Sequence, residues 1–492
     1  MLKLNKKRTI LIGLAFFGIL LVWQLYNSYC APMLSLLFAK HDYADKVIEA
    51  MNNGVSSMKD MLAQGYLSEE HYLNLQWKVG IIMALDNVAA LFLMPIFGAL
   101  SDKTHTKLGK RTPYILVGSV ITAIALPFIP FFFVKGMGEV NNVVPYIVGI
   151  VCSMIVVIIF MMSYRSPAVA LMPDLTPKPL RSKANGIINI VGYIGGAVGA
   201  VFAIVVPVTK YINGSNQSLL MLEIPFIVCS ICLLISLVLL LIKVKENKLH
   251  EELDEEIKAY DDQGESAEQV VNNDKLSKSN IRNLLLILLA EIFWFMSLNA
   301  IETFQTNYFM FNLNTSSAGG AIMTVVSGAA SVVGFILAGN IADKIGRKNT
   351  ILIGIVIVTI GYLVYAFIKP AAPWTELTFD GKLPWLFYVI IPIIGFGTSL
   401  IHICSFPLVT DYCTNEKLGK FTSLYYTASM LAQSVTPILI GLIFRATSWG
   451  ALPIYSCVLM GIAGIVFFFV KAPHNQDRAK NAKGLEALGQ DD

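Results

Sequence analysis

Gly98-Ala99-Leu100-Ser101-Asp102-Lys103, closing in Gly109-Lys110-Arg111, recurs later in the chain as Gly339-Asn340-Ile341-Ala342-Asp343-Lys344, closing in Gly346-Arg347-Lys348. Each copy stands between two apolar runs. A single copy reads as a turn with basic anchors. Two copies six apolar runs apart read as a duplicated membrane unit. Glycine lets neighbouring helices approach closely, and an aspartate at a helix end pairs with basic residues or faces the N-terminus of a neighbouring helix. Gly98, Asp102, Arg111 and Asp174, with Gly339, Asp343, Arg347 and Asp411, are therefore expected to form a cytoplasmic gate that holds that face closed and releases as the halves rock.

Composition agrees with a membrane location. The chain has 492 residues, 55% hydrophobic and 14% charged, with a mean hydropathy of +0.64. Soluble domains carry about 25% charged residues, so one water-soluble core would leave too little polar surface, and a bilayer is the fitting solvent. Apolar runs long enough to cross it fall near 9–31, 78–100, 112–134, 143–165, 184–208 and 219–243, then 282–309, 317–340, 349–369, 383–409, 420–444 and 450–471. The expectation is an all-α membrane protein of twelve transmembrane helices in two pseudo-symmetric six-helix bundles. The expected domains are an N-terminal bundle (1–243), a charged cytoplasmic linker (244–281), a C-terminal bundle (282–472) and a tail (473–492). The linker is rich in Glu, Asp, Lys and Asn and reads as solvated, with a charged helix around Glu246–Tyr260. A net charge of +4 gives no sign of nucleic-acid binding. Cys229 and Cys232 share a helix face, but no Cys/His set has zinc spacing. No metal, cofactor or enzymatic motif is expected.

Basic residues fix the expected orientation. Lys103, Lys107, Lys110 and Arg111 follow the second run, Lys178, Arg181 and Lys183 the fourth, and Lys344, Arg347 and Lys348 the eighth. All fall on one side if every run spans, which places that side and both termini in the cytoplasm of a cell (plasma or inner) membrane. Residues 1–30 then read as a first helix rather than a cleaved leader. The opposite side carries a long connection, 41–77, in which Val47, Met51, Val55, Met58 and Leu62 recur at helical spacing.

These stretches resemble the major facilitator superfamily, whose signature loop matches the repeated motif. Pro95–Pro113, the stretch Pro167–Thr176 read as a loop, and Phe293-Trp294-Phe295 resemble more narrowly the glycoside–pentoside–hexuronide:cation symporter family, in its sucrose-transporter-like branch. The resemblance implies a sugar moving with a cation by alternating access. The melibiose-type branch carries two helix-two carboxylates that bind sodium. Ala90 and Met94 stand there instead, with Asp86 one turn earlier, and Arg165 replaces a helix-four aspartate. The resemblance thus points to protons more than to sodium.

Ionisable groups inside a bilayer are costly unless they face a partner or a cavity. Asp86, Glu291, Glu302 and Arg165 are the candidates for cation coupling. Asp86 leads as proton carrier, Arg165 is placed at the cytoplasmic end of helix four, and Glu291 and Glu302 are three turns apart on helix seven. Sugar recognition needs flat aromatic faces and amide or hydroxyl groups. Trp23, Gln24 and Asn27 on helix one, Asn189 and Tyr193 on helix five, Trp294 and Asn299 on helix seven, and Tyr425 and Gln433 on helix eleven supply them. His402 reads as a packing histidine. The function expected is proton-coupled symport of a di- or oligosaccharide or glycoside by a monomer in the lipid bilayer. The alternatives are an amphiphile or lysolipid transporter of the same fold and a non-transporting sugar sensor.

Overall fold

The computed structural model describes residues 4–55, 57–139, 142–176, 180–212, 219–253, 278–368, 374–412 and 415–471. Lys178, the side chains of Arg181, Lys183 and Asp411, most of the expected linker (254–277) and the tail lie outside the described residues. Twelve helices among the described residues are long and apolar enough to cross a membrane. They are α1 (Lys6–Asp42), α2 (Glu69–Lys103), α3 (Thr112–Ala125, continued as Phe128–Gly138), α4 (Val144–Asp174), α5 (Arg181–Val205) and α6 (Leu219–Lys243). The second set is α7 (Lys278–Phe311), α8 (Ala318–Ile345), α9 (Arg347–Ala366), α10 (Phe387–Tyr412), α11 (Asn415–Ala446) and α12 (Ala451–Phe468). Pro127 divides α3 because its nitrogen has no proton to donate to the helix ladder. Large apolar side chains such as Phe92, Ile124, Ile336 and Ile360 are exposed, the outward surface that a bilayer covers and water would not tolerate.

Several helices outrun their apolar runs, since hydropathy marks only the hydrocarbon-spanning part. Ser68 opens α2 nine residues before the apolar run at 78: its Oγ accepts the His71 N–H (3.4 Å) while His71 Nδ1 accepts the Ser68 N–H (3.0 Å), a reciprocal cap. The connection between α1 and α2 is accordingly 43–68, shorter than 41–77, and carries two short helices, Ala44–Asn52 and Met58–Ala63. Val47, Val55, Met58 and Leu62 are buried there. The stretch Pro167–Asp174, expected as a loop, is the last part of α4. In hydrocarbon an interrupted helix leaves backbone groups unsatisfied, so the helix runs on through its prolines. Arg165 therefore sits within α4, not at its end.

The two sets of six pack alike. α1 lies against α5 and α6, α2 against α4, and α3 against α4 and α6; α7 lies against α11 and α12, α8 against α10, and α9 against α10 and α12. The same symmetry relates the seams between the halves, α2 on α11 and α8 on α5. They are unequal in depth. Gly80 lets α2 rest on the Pro437 backbone of α11, and Gly441 lets α11 rest on Gln76 and Trp77 of α2. A side chain at either position would collide with backbone, which cannot swing aside.

On the face carrying the termini, the repeated motif is used differently in each half. Arg111 is buried. Its guanidinium pairs with Asp102 and with Asp174 (2.9 Å), and also donates to Ser101 Oγ and the Gly98 carbonyl. These contacts tie α2, the start of α3 and the end of α4 together inside one half, so the expected gate is here an internal clamp. In the second copy Arg347 donates to the Pro407 carbonyl of α10 (3.4 Å) and Lys348 to the Phe468 carbonyl of α12 (3.1 Å), Asp343 is exposed, and Gly339 faces open space rather than a neighbouring helix.

The linker's start is largely exposed, as expected, but Glu246 is not. Residues 246–253 are helical, and Glu246 is 2% exposed. Its carboxylate accepts the backbone N–H groups of Lys110 (2.9 Å), Arg111 (3.0 Å) and Thr112 (2.9 Å), and the Thr112 hydroxyl (2.7 Å). It thus serves as the N-terminal cap that α3 lacks in its own sequence, where the dipole favours a negative charge. Gly109, at φ 115°, has no Cβ because Glu246 occupies that space.

Two outcomes follow from this packing. Gly80→Ala overpacks the α2–α11 seam and is expected to cost about 1–3 kcal/mol, read as a lower melting temperature of the purified protein; an unchanged melting temperature would show that the seam is not tight. Glu246→Ala strands four buried donors and is expected to cost at least about 2 kcal/mol. Glu246→Gln, which keeps an acceptor oxygen, should fall between that variant and the parent in the same melt.

Candidate functional site

A cavity of about 180 Å³ lies where the two halves meet. Leu20, Trp23 and Asn27 of α1, Asp86, Asn87 and Ala90 of α2, and Met162 and Arg165 of α4 line it from one half. Glu302 of α7 and Gln433 of α11 line it from the other. Helical periodicity places them: Leu20, Trp23 and Asn27 repeat at i, i+3 and i+7, Asp86 and Ala90 at i and i+4, and Met162 and Arg165 at i and i+3. Asp86 is the middle residue of the 35-residue α2. Glu302 keeps accessible surface although neighbouring helices enclose α7, because the surface it exposes belongs to the cavity.

The polar groups form two linked sets. Asn27 Nδ2 donates to Glu302 Oε1 (3.0 Å), a hydrogen bond across the two halves. Asp86 Oδ1 accepts the Asn87 backbone N–H (2.6 Å) and the Asn87 side-chain amide (2.9 Å). The Arg165 guanidinium is within electrostatic reach of both Asp86 and Glu302. Two acids thus face one permanent cation, an arrangement with capacity for one further positive charge. Trp23 Nε1 is itself buried and has no hydrogen-bond partner among the described residues. A larger groove of about 450 Å³ lies on the outer flank between α9 and α12, lined by Leu352, Ile355, Ile360, Ile465 and Phe468 among others. Its apolar walls face the bilayer and offer nothing to a polar ligand.

Of the residues singled out from the sequence, Trp23, Asn27, Gln433, Asp86, Glu302 and Arg165 meet at the cavity. The others lie elsewhere. Gln24 donates to Ser28 (3.0 Å) and packs where Gly199 of α5 approaches α1. Asn189 donates to Asn185 (3.2 Å), and Tyr193 faces Phe335 across the α5–α8 seam, ring centroids 6.4 Å apart. Trp294 is buried against Phe467, Asn299 is buried on α7, and Tyr425 hydrogen-bonds Ser405 (2.8 Å). Glu291 is fully buried, away from the cavity, within electrostatic reach of Tyr425. His402 stacks near Phe295 (5.5 Å). Leu20, Asn87, Ala90 and Met162 were not singled out, being apolar or masked by a neighbour. The signal that finds Leu20, Ala90 and Met162 is their helical spacing from Trp23, Asp86 and Arg165; Asn87 and Ala90 stand at i and i+3.

Comparison with known proteins places this geometry. The family model described as MFS/sugar transport protein matches residues 43–473. An isoprimeverose transporter of Lactiplantibacillus pentosus is 23% identical over 58% of this chain and 56% of its own length. A lactose permease of Leuconostoc lactis is 30% identical over 27% of this chain and 21% of its own. The chain therefore aligns with little more than half of the first relative and about a fifth of the second. The crystal structure of a D-xylose–proton symporter superposes with a TM-score of 0.60 at 17% identity, covering 95% of this chain and 98% of that one. At that identity the likeness is one of fold, the two-bundle arrangement described above. With a family model matched over nearly its whole length, this chain belongs to the MFS/sugar transport protein family.

Proposed function

We propose that this protein is a secondary active transporter that carries a sugar or glycoside together with a cation, a proton in preference to sodium, by alternating access. The observation that carries the reading is the Asn27–Glu302 hydrogen bond inside a polar cavity shared by both halves. A group bound there touches both rigid bodies, so its binding or neutralisation is felt by the equilibrium between their two arrangements. The amides of Asn27, Asn87 and Gln433 suit hydroxyl-rich cargo, and the Trp23 indole offers a flat face. Asp86 and Glu302, opposed by Arg165 alone, suit a coupling proton. The relatives named for isoprimeverose and lactose transport, and the neighbour named as a D-xylose–proton symporter, support the same cargo class. At about 180 Å³ the cavity is smaller than ordinary ligand pockets of roughly 300–1,000 Å³, so a di- or oligosaccharide requires the halves to part further. The basic loops assign the face carrying both termini to the cytoplasm of a cell membrane.

Uptake of labelled maltose, sucrose and lactose into proteoliposomes, with and without an inward proton gradient, tests the reading. The gradient is expected to drive accumulation, and Asp86→Asn to abolish that stimulation. Uptake indifferent to protons but dependent on sodium would overturn the proton assignment, and no uptake of any glycoside by folded protein would overturn the cargo class. Glu302→Gln separates charge from hydrogen bonding, since Gln keeps the acceptor for Asn27. It should retain sugar binding while losing gradient-driven accumulation. Asn27→Ala should instead weaken binding by about 1 kcal/mol, roughly fivefold.

A further inference from the structure

We propose that Trp374, with the segment Trp374–Gly381 that carries it, is the latch of a gate on the face opposite the termini, closing against the α1–α2 connection. The proposal rests on the transporter reading above and assigns a role to the α1–α2 connection that the family membership does not supply.

Several hydrogen bonds between the halves lie at the cavity or toward this face. Below the latch, Asn307 Nδ2 of α7 donates to Ser35 Oγ of α1 (2.9 Å) and Gln76 Oε1 of α2 (3.2 Å), all three fully buried. Beside it, Thr209 Oγ1 and Ser316 Oγ meet at 2.9 Å. Above these, Trp374 Nε1 donates to the Leu67 carbonyl (3.2 Å), the last part of the α1–α2 connection. Its ring lies 5.6 Å from Tyr72 of α2 and 5.9 Å from Phe311 of α7, so one side chain contacts both halves. The short turn Trp374–Glu376 also packs on the helix Met58–Ala63.

A latch needs a rigid mount, and the segment has one. Asn314 Oδ1 accepts the backbone N–H of Thr378 (2.7 Å) and Phe379 (2.8 Å), its Nδ2 donates to the Glu376 carbonyl (3.2 Å), and its own carbonyl accepts the Gly381 N–H (2.9 Å). Phe379 is held at φ 57°, a left-handed conformation that a bulky residue does not adopt by preference. It stays there because Asn314 holds its amide and Phe311 packs its ring edge-on at 5.9 Å. The segment is thus fixed to the C-terminal half, while the Leu67 carbonyl and the helix Met58–Ala63 belong to the other. Cargo cannot reach the cavity from this face until the Trp374 contact breaks.

Thiol labelling tests this without any transported substrate, so the result stands whether or not the cargo is a sugar. Ala90→Cys places a reporter at the cavity, and a membrane-impermeant maleimide is added to orientation-sorted proteoliposomes from the face opposite the termini. Labelling is read by mass at the peptide containing residue 90. Trp374→Ala is expected to speed that labelling on the order of tenfold, the scale of one buried hydrogen bond with two aromatic contacts. Trp374→Phe, which keeps a ring but loses the N–H, should give a smaller increase. Asn314→Ala, which frees the mount and leaves Trp374 in place, should act in the same direction and serves if Trp374→Ala does not fold. Unchanged or slower labelling in the folded variants overturns the latch.

Discussion

Hydrocarbon offers no partner to a hydrogen-bonding or charged group, and the arrangement of polar side chains in this chain follows from that constraint. Outward surfaces are apolar, and polar residues such as Asn27, Asp86, Arg165, Glu302, Asn307 and Gln433 lie where the halves meet. There they satisfy one another across the seam: Asn27 with Glu302, Asn307 with Ser35 and Gln76. An interface built this way can be remade as well as broken. Lipid cannot enter to replace the lost partners, but water and a hydroxyl-rich ligand can. The same requirement that buries these groups makes the seam the one part of the membrane interior where a polar cargo is better solvated than in lipid.

Duplication supplies two halves with matching helix pairings, yet the halves are not used equally. The N-terminal half contributes Asp86 and Arg165 to the cavity and holds the fully formed Arg111 clamp, stapled in addition by Glu246. The C-terminal half contributes Glu302 and the mount for Trp374. In its own copy of the motif, Arg347 donates to α10 and Lys348 to the Phe468 carbonyl of α12. The clamp keeps α2, α3 and α4 together as one body, and Asp86 and Arg165 ride on α2 and α4. The distance between the leading carboxylate and its counter-cation is thereby fixed within a half, while the Asn27–Glu302 link spans the part that moves.

The fold was legible in the sequence because its signals are long: apolar runs of membrane length and a motif copied six runs apart. The cavity was legible in part. Trp23, Asn27, Asp86, Glu302 and Gln433 announce themselves as polar or amphipathic residues in apolar helices. Arg165 was found but placed wrongly, since Pro167 and Pro173 look like a helix end in sequence, and only the demand for satisfied backbone in hydrocarbon carries α4 past them. Trp294, Tyr425 and Glu291 carry the same chemical signal and yet lie away from the cavity, because residue type does not say which face of a helix meets which neighbour. Glu246 was hidden altogether. It belongs to a charged segment whose composition reads as solvated, and its role depends on a loop more than 130 residues earlier.

The unequal seams bear on how such a molecule can move. α2 and α11 touch backbone to backbone at Gly80 and Gly441, so they can slide or pivot there but cannot separate without losing contacts that no side chain can follow. α5 and α8, the symmetry mates of that pair, meet through side chains such as Tyr193 and Phe335, whose flexible ends can adjust as the seam widens. A rocking motion about the α2–α11 contact leaves the tight seam as a hinge and opens the looser one. The cavity lies between these two seams. Rotation about such a hinge alters the gap spanned by Asn27 and Glu302, whose hydrogen bond joins the halves at the cavity.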